Sequence, residues 1–511
     1  MSRELLLGID IGTYASKGVI VDNTGAVICT ASMAHGLDLP NPGWAEHDSE
    51  KVWWNDFCHL TSVLFNDGRA KPSEIVAVAC SGIGPALLPI DKTGSPLRPA
   101  ILYGIDTRAT EEIAELEARF GQEQIRAVTG NVLSSQSVGP KILWLSRHEP
   151  EVFNQTSYFL TSTGYLVFRL TGNILIDNYT AVTFAPLFNI NTLNWDKEMC
   201  EGIVGTDMLP QPAWSGEIAG KITEEAAKLT GLVAGTPVVV GTTDAAAEAL
   251  SVGVTEPGEL MIMYGTTSFL IQVVDQLIIE PRLWPGVFLS DKTWALAAGM
   301  ATSGAITRWF RDQFAPLELQ NEEGGGMNAY LALSKRAAEV PPGSEGLLIL
   351  PYFSGERTPI NDPLARGVIA GLTLSHSRQH VFRAILEAIA YGINHNLQVI
   401  GETGVTIDRV VAVGGGTNNY LWLQIVSDVA GVEQEIPAVT IGAAYGDAFL
   451  GGLGIGMFKD LSNIKVWVRP AAIVMPNLEN AAQYQNYFLQ YRDLYINLKT
   501  QLHDLARLSS G

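Results

Sequence analysis

Leu5-Leu6-Leu7-Gly8-Ile9-Asp10-Ile11-Gly12-Thr13, continued by Ser16-Lys17-Gly18-Val19-Ile20-Val21-Asp22, is an apolar strand that meets a glycine turn and leaves it as a second strand. Such a pattern predicts a β-hairpin, and the acid beside the turn predicts one that grips phosphate. A related arrangement follows at Val238-Val239-Val240-Gly241-Thr242-Thr243-Asp244, and Met263-Tyr264-Gly265-Thr266-Thr267-Ser268 adds a third turn rich in glycine and hydroxyls. Glycines let backbone N–H groups approach an anion, hydroxyls add donors, and each acid can hold a metal or accept a proton. A lone turn of this kind is usually an ordinary hairpin. Three in this order imply an ATP cleft.

At 511 residues the chain is long enough for two domains with a core each. Its formal net charge of −20 excludes a nucleic-acid groove, which needs clustered Lys and Arg, and favours a neutral small substrate. Cys29, Cys58, Cys80 and Cys200 show no C-x-x-C spacing, which fits a reduced cytoplasm. Leu5 to Leu7 is too short for the apolar core of a signal peptide, and acids such as Asp244 and Glu248 interrupt the longer apolar runs, so no membrane span is expected. The histidines lack metal-ligand spacing and no structural zinc is expected.

Strand-like runs alternate with helical patterns, giving an α/β class. Predicted strands are Ile75 to Ala79, Val238 to Val240, Glu259 to Met263, Leu347 to Leu350 and Val410 to Val413. Helices are predicted over His380 to Leu397 and Asn480 to Leu508. In the second, Tyr484, Tyr487, Phe488, Tyr491, Leu494, Tyr495 and Leu498 form a stripe suited to core packing. The turn signal Thr255-Glu256-Pro257-Gly258 places the domain boundary near Gly253, dividing the chain into 1–253 and 254–511.

Further along, Pro140-Lys141-Ile142-Leu143-Trp144-Leu145, Ser354-Gly355-Glu356-Arg357-Thr358-Pro359, Gly367-Val368-Ile369-Ala370-Gly371-Leu372 and the run His380 to Glu387 complete a series that begins at Gly8. In that order they resemble the FGGY carbohydrate kinases, and within the family Gly130-Asn131 and the run Pro140 to Pro150 are most similar to the xylulokinases. The resemblance implies two domains of the actin and ribonuclease-H-like ATPase type around a central cleft, with ATP and Mg²⁺ as cofactors. It implies a small-molecule sugar, ATP and ADP as partners, and it leaves a homodimer open.

On this resemblance Asp244 matches the general base, Asp10 the Mg²⁺ position, and Gly12, Thr13, Lys17, Gly265, Thr266 and Thr267 the contacts to the transferring phosphate. Gly414, Gly415, Gly416 and Asn419 match the adenosine end, and Gly304, before the helical run Ala305 to Arg311, matches a helix start packed on the nucleotide. Some of these residues also suit a structural role. Asp244 suits the N-cap of a helix through Ala245-Ala246-Ala247, and Asn419 suits a cap before Tyr420 to Val429 as well as it suits a ligand contact. Lys141 and Trp144 read as scaffold, and Glu356 with Arg357 as an ion pair bracing the cleft.

The sugar site departs from the xylulokinase pattern. Ile83-Gly84-Pro85 stands where those enzymes carry Gln-Met-His, Tyr103 stands for a tryptophan, and Ala245 replaces an asparagine after the base. Asp106 and Arg108 survive, so the expected pocket has Ile83, Gly84, Pro85 and Tyr103 on its wall with Asp106 and Arg108 holding hydroxyls. The glycerol-kinase Arg-Glu pair is absent at this loop. The expected activity is ATP-dependent phosphorylation of a ketopentose such as D-xylulose. Alternatives are another ketose, a polyol, a sugar acid such as gluconate, or an actin-like ATPase without a small acceptor.

Overall fold

Leu5–Ile11 is buried along its whole length, because it lies in the middle of a sheet with both edges paired and both faces covered. In the computed structural model, which describes residues 3–509, it pairs antiparallel with Ala15–Asp22, and Asp10 stands opposite Lys17. On its other side runs Ile75–Gly82, parallel, with Ser81 opposite Asp10. The sheet has seven strands. Beyond Ile75–Gly82 lie Pro237–Val239 and Ile218–Lys221, beyond Ala15–Asp22 lies Val27–Ala34, and Thr242–Thr243 pairs with the end of Ile75–Gly82.

The second half repeats this plan. Glu259–Tyr264 pairs antiparallel with Ser268–Val274 and parallel with Arg409–Val413 in another seven-stranded sheet. Each sheet is thus organised around a glycine-turned hairpin whose first strand has a parallel neighbour. The hairpins expected at Gly12 and Gly265 are present. The turn at Gly241 differs, because the chain passes through Thr242–Thr243 directly into the helix Asp244–Ser251 instead of returning as a long strand.

That helix and Ala443–Gly454 fill the space between the sheets, and one apolar cluster joins Leu6 and Ala79 of the first sheet to Ala246, Leu250, Ala444 and Ala448 of the helices and Met261 and Val411 of the second sheet. Small residues allow the close approach. A Cβ on Gly446 would lie 2.1 Å from the Ala247 carbonyl oxygen, and one on Gly8 would lie 1.9 Å from that of Ala444. Both glycines are therefore needed for layer spacing.

Other elements exceed the predicted lengths by a few residues. The strand from Ile75 runs to Gly82, and the helices are Arg378–Glu402 and Leu478–Ser509. The aromatic stripe of the last helix packs in the core of the second half, with Tyr484, Phe488, Tyr491 and Tyr495 buried. No helix among the described residues is long and apolar enough to cross a membrane.

Candidate active site

Three adjacent parallel strands end together on one side of the first sheet, and their ends carry Asp10, Ser81 and Thr243-Asp244. Carboxyl ends of parallel strands are where open α/β sheets bind ligands. Asp10 is buried, and its Oδ1 accepts from the Ser81 hydroxyl at 3.2 Å. Asp244 is the first residue of its helix, with Thr243 in the cap position, so the acid itself is not the N-cap. Its Oδ1 accepts the Ala245 backbone N–H at 2.8 Å, and among the described residues no side chain bonds it.

The electrostatics of these acids follow from burial. It pushes the Asp244 carboxyl up to about 8, with the charges of Asp10 and, more weakly, Glu248 adding to the effect. Burial also raises Asp10 to about 6, against the opposing pull of Lys17, Ser81 and His35. Glu248, one helical turn beyond Asp244, is raised to about 7 by burial and by Asp10. Behind Asp10, Asp447 is fully buried, takes the Ser81 hydroxyl at 2.6 Å and is held well above the carboxylate range by burial. The mutual repulsion among Asp10, Asp244, Glu248 and Asp447 favours shared protons over full ionisation.

Around them stand several residues expected at the site. The Gly12 turn is closed by the Gly12 N–H on the Ala15 carbonyl at 3.1 Å, and the Thr13 hydroxyl lies 3.3 Å from that of Tyr103. Lys17 reaches the Ile441 carbonyl at 3.5 Å, across to the loop before Ala443–Gly454. The Ile83-Gly84-Pro85 loop abuts Thr243, next to Asp244, since a Cβ on Gly84 would lie 2.4 Å from Cγ2 of Thr243. The Ile83 side chain is itself buried in the core of the first half.

Asp106 and Arg108 require a correction. Both side chains are fully buried, paired with each other at 2.6 Å, and Arg108 also pairs with Glu46 at 2.8 Å while lying 3.9 Å from the centre of the Trp44 ring. Asp106 additionally accepts the Ala45 N–H at 2.7 Å. Apart from Arg108 Nη1, which is buried without a partner among the described residues, their donors and acceptors are engaged inside the domain, and with both side chains fully buried the pair braces the loop carrying Tyr103. Lys141 does similar work. Its ammonium, lowered to about 7 by burial, donates to the carbonyls of Leu102 and Tyr103.

A second correction concerns Glu356 and Arg357, which do not form the expected ion pair. Glu356 accepts the backbone N–H groups of Ala301 at 2.6 Å and Arg357 at 2.8 Å, and burial raises it to about 8. The Arg357 guanidinium has no hydrogen bond or ion pair among the described residues. It is half-buried near the Tyr103 phenol, on the opposite lobe.

In the second half, a cavity of about 890 Å³ is lined by Gly265, Thr266, Gly304, Gly415, Gly416 and Asn419. The Thr266 turn is bound to the start of the helix Gly304–Phe314: Gly304 N–H donates to Gly265 at 3.0 Å, and Ser303 and Ala305 N–H groups donate to Thr266. A Cβ on Gly304 would lie 2.5 Å from the Gly265 oxygen. Gly414, at φ +90°, turns the chain past Tyr264, and Gly415 faces open space. Asn419 both lines the cavity and caps the helix Tyr420–Ala430, accepting the Trp422 N–H at 3.3 Å. Gly414 and Thr267 stand behind this lining, and the Thr267 carbonyl closes the turn by accepting from Gly265.

Sequence reasoning missed Arg308, Tyr330 and Lys335, which also line the cavity. Arg308 follows the Gly304 signal by one helical turn, while Tyr330 and Lys335 come from Ala329–Ala337, a helix with no glycine signature. It also passed over Glu248 and Asp447 as site residues. The i,i+4 spacing from Asp244 and a lone acid in the small-residue helix Ala443–Gly454 were the available signals.

Two family models cover most of the chain: the N-terminal domain of the FGGY family of carbohydrate kinases matches residues 5–251 and its C-terminal domain residues 260–455. The chain belongs to the FGGY family of carbohydrate kinases. It is 30% identical to a xylulose kinase of Escherichia coli (strain K12) over 97% of this chain and 99% of that one. A gluconokinase of Bacillus subtilis (strain 168) is 27% identical over 98% of each. The crystal structure of xylulose kinase from Rhodospirillum rubrum superposes with a TM-score of 0.90 at 31% identity, covering 98% of this chain and 100% of that one. This FGGY protein is therefore a xylulokinase-like carbohydrate kinase of two-domain α/β fold, with a sugar and ATP as substrates.

Proposed function

We propose that this FGGY kinase transfers the γ-phosphoryl group of ATP to a hydroxyl of a ketopentose, D-xylulose first, with Asp244 as general base. The observation that carries the reading is Asp244 itself: an acid raised to about 8, without a side-chain partner, at the end of a strand beside the Gly12 hairpin. A carboxylate there takes the proton of the attacking hydroxyl as the oxygen bonds to the γ-phosphorus and the bond to ADP breaks. Residues 1–253 carry the base and the sugar wall, with Tyr103 and the Gly84-Pro85 backbone facing the acceptor. Residues 254–511 carry the nucleotide, adenosine lying in the cavity between Gly304 and Asn419.

Asp10 fits a magnesium position, because its Oδ2 has no hydrogen-bond partner among the described residues while Oδ1 accepts from Ser81. Among the described residues no three His, Cys, Asp or Glu groups form a metal cage, which suits an ion held by one or two carboxylates and the phosphates. Bound Mg²⁺ supplies charge neutralisation on the transferring phosphate. Gly12, Thr13 and Lys17 on one lobe and Gly265 and Thr266 on the other orient that phosphate.

A second reading, a sugar acid such as gluconate, is favoured by the unpaired Arg357 guanidinium, a natural partner for a carboxylate. The discriminating experiment is a panel of ketopentoses, polyols and aldonates assayed for ATP consumption and phosphorylated product. Stoichiometric phosphorylation of D-xylulose supports the first reading. Preference for an aldonate establishes the second, and ATP hydrolysis indifferent to every acceptor overturns both.

A further inference from the structure

Two histidines lie edge to face beneath the Gly12 turn, their ring centres 5.2 Å apart, and their partners impose opposite protonation states. His47 Nδ1 receives the indole N–H of Trp53 at 3.1 Å. An indole only donates, so Nδ1 of His47 carries no proton and its ring is neutral. His35 faces acceptors from both nitrogens: Nε2 lies 3.0 Å from the Gly12 carbonyl and Nδ1 lies 2.8 Å from Oδ2 of Asp56. The carbonyl can only accept, which requires a proton on Nε2. The Asp56 oxygen already accepts the Ser16 hydroxyl at 2.7 Å and acts as an acceptor toward Nδ1 as well, so both ring nitrogens donate.

We propose that His35 is a positioning residue, an imidazolium held by Asp56 that fixes the Gly12 carbonyl and thereby the phosphate-gripping turn. The role of that turn rests on the function proposed above. The His35 and Asp56 side chains are 6% and 1% exposed, so water does not compete for either bond. The groups facing the ring account for the charge. Asp56 comes from the helix Asn55–Asn66 and Ser16 from Ala15–Asp22, while Asp10 of Leu5–Ile11 lies within the field of the ring and is favoured as a carboxylate by it. His47, from Glu46–His47, is driven down to about 4 by burial and by His35, so it adds no second charge, and Asp38 pulls weakly the other way. The ring contacts the turn from behind, so it supplies position and positive potential, while the glycine and threonine backbone meets the phosphate.

The test uses the full-length enzyme. Ring-nitrogen NMR of His35, assigned with His35→Gln, should show two N–H groups at pH 7. In kinetics His35→Gln, which keeps one donor but no charge, should raise the KM for ATP about tenfold, the scale of one charge-assisted hydrogen bond, while leaving the sugar KM unchanged. A single protonated nitrogen in the wild-type ring at pH 7 overturns the proposal without any variant. Wild-type ATP KM in a folded His35→Gln overturns it equally. A wild-type enzyme that phosphorylates no acceptor would overturn the kinase mechanism instead, and the NMR arm would still decide the state of His35.

Discussion

Asp244 is placed where its ionised form costs the folded protein free energy, and this creates a tension between stability and chemistry. An acid whose folded pKa is raised, here from 3.8 to about 8, binds more protons folded than unfolded across that interval, so its contribution to stability declines as pH rises from about 4 to about 8. Asp10 and Glu248 act in the same sense over narrower ranges, up to about 6 and about 7. Asp244→Asn removes the cost. In the absence of ligands and Mg²⁺ the variant should melt at a higher temperature than wild type at pH 8, with the difference vanishing near pH 4. Its phosphoryl transfer should fall by about 10² to 10⁴ while ATP binding persists. Scanning calorimetry at the two pH values and steady-state kinetics provide the check; wild-type turnover in Asp244→Asn would remove it as the base. Asp106 shows the complementary case, an acid adjacent in motif to the site yet spent wholly on Arg108 and Ala45. A motif names residue types but not the direction in which a side chain turns, which is why that pair was read as sugar contacts.

At the scale of elements, the helix that begins with Asp244 is held against Ala443–Gly454 by the absence of side chains. Gly446→Ala drives a methyl toward the Ala247 carbonyl, backbone that moves only with its helix. Overpacking of this kind costs about 1 to 3 kcal/mol, and the displacement should also lower kcat because Asp244 moves with the helix. Gly401→Ala, near the end of Arg378–Glu402 with no atom within 4 Å of the new methyl, should instead stabilise by up to about 1 kcal/mol with unchanged kinetics. Urea denaturation of both variants separates the effects. An unperturbed Gly446→Ala would mean that the layers yield. The glycine hairpins were legible because local backbone chemistry alone forms them. The close helix pair was not, since Ala245-Ala246-Ala247 and Ala443-Ala444 read as generic helix until their partner is known. Arg378–Glu402 runs beyond the expected His380 to Leu397, through the polar Arg378-Gln379 at its start and through the buried Val399-Ile400 before Gly401 at its end.

Across the whole molecule, the two hairpin-centred sheets pack through the helices Asp244–Ser251 and Ala443–Gly454, and the two lobes differ in chemistry. The first lobe offers acids, with Asp10, Asp244 and Glu248 gathered at its strand ends, and the second offers turns and helix starts suited to a nucleotide. The expectation of two halves rests on sequence order, because each opens with its own glycine turn. Contacts between lobes depend on three-dimensional closure and were not legible. Arg357 shows this: carried by the second lobe, half-buried, unpaired among the described residues, it lies close enough to Tyr103 of the first for their charges to interact. A guanidinium left without a partner in a partly desolvated cleft has paid part of its burial cost in advance, so a ligand carrying negative charge or several hydroxyl acceptors gains on binding. Arg357→Lys keeps the charge but loses the fork of donors, and Arg357→Gln loses both. If Arg357 meets the acceptor, both variants should raise the KM for sugar with the ATP KM unchanged, and Gln should be the worse by about 1.5 to 3 kcal/mol for an anionic acceptor. If it meets the γ-phosphate, kcat should fall for every sugar alike. Kinetics of the two variants on a ketopentose and an aldonate distinguish these outcomes, and a pair of variants indistinguishable from wild type on both substrates would assign Arg357 to the scaffold of the cleft.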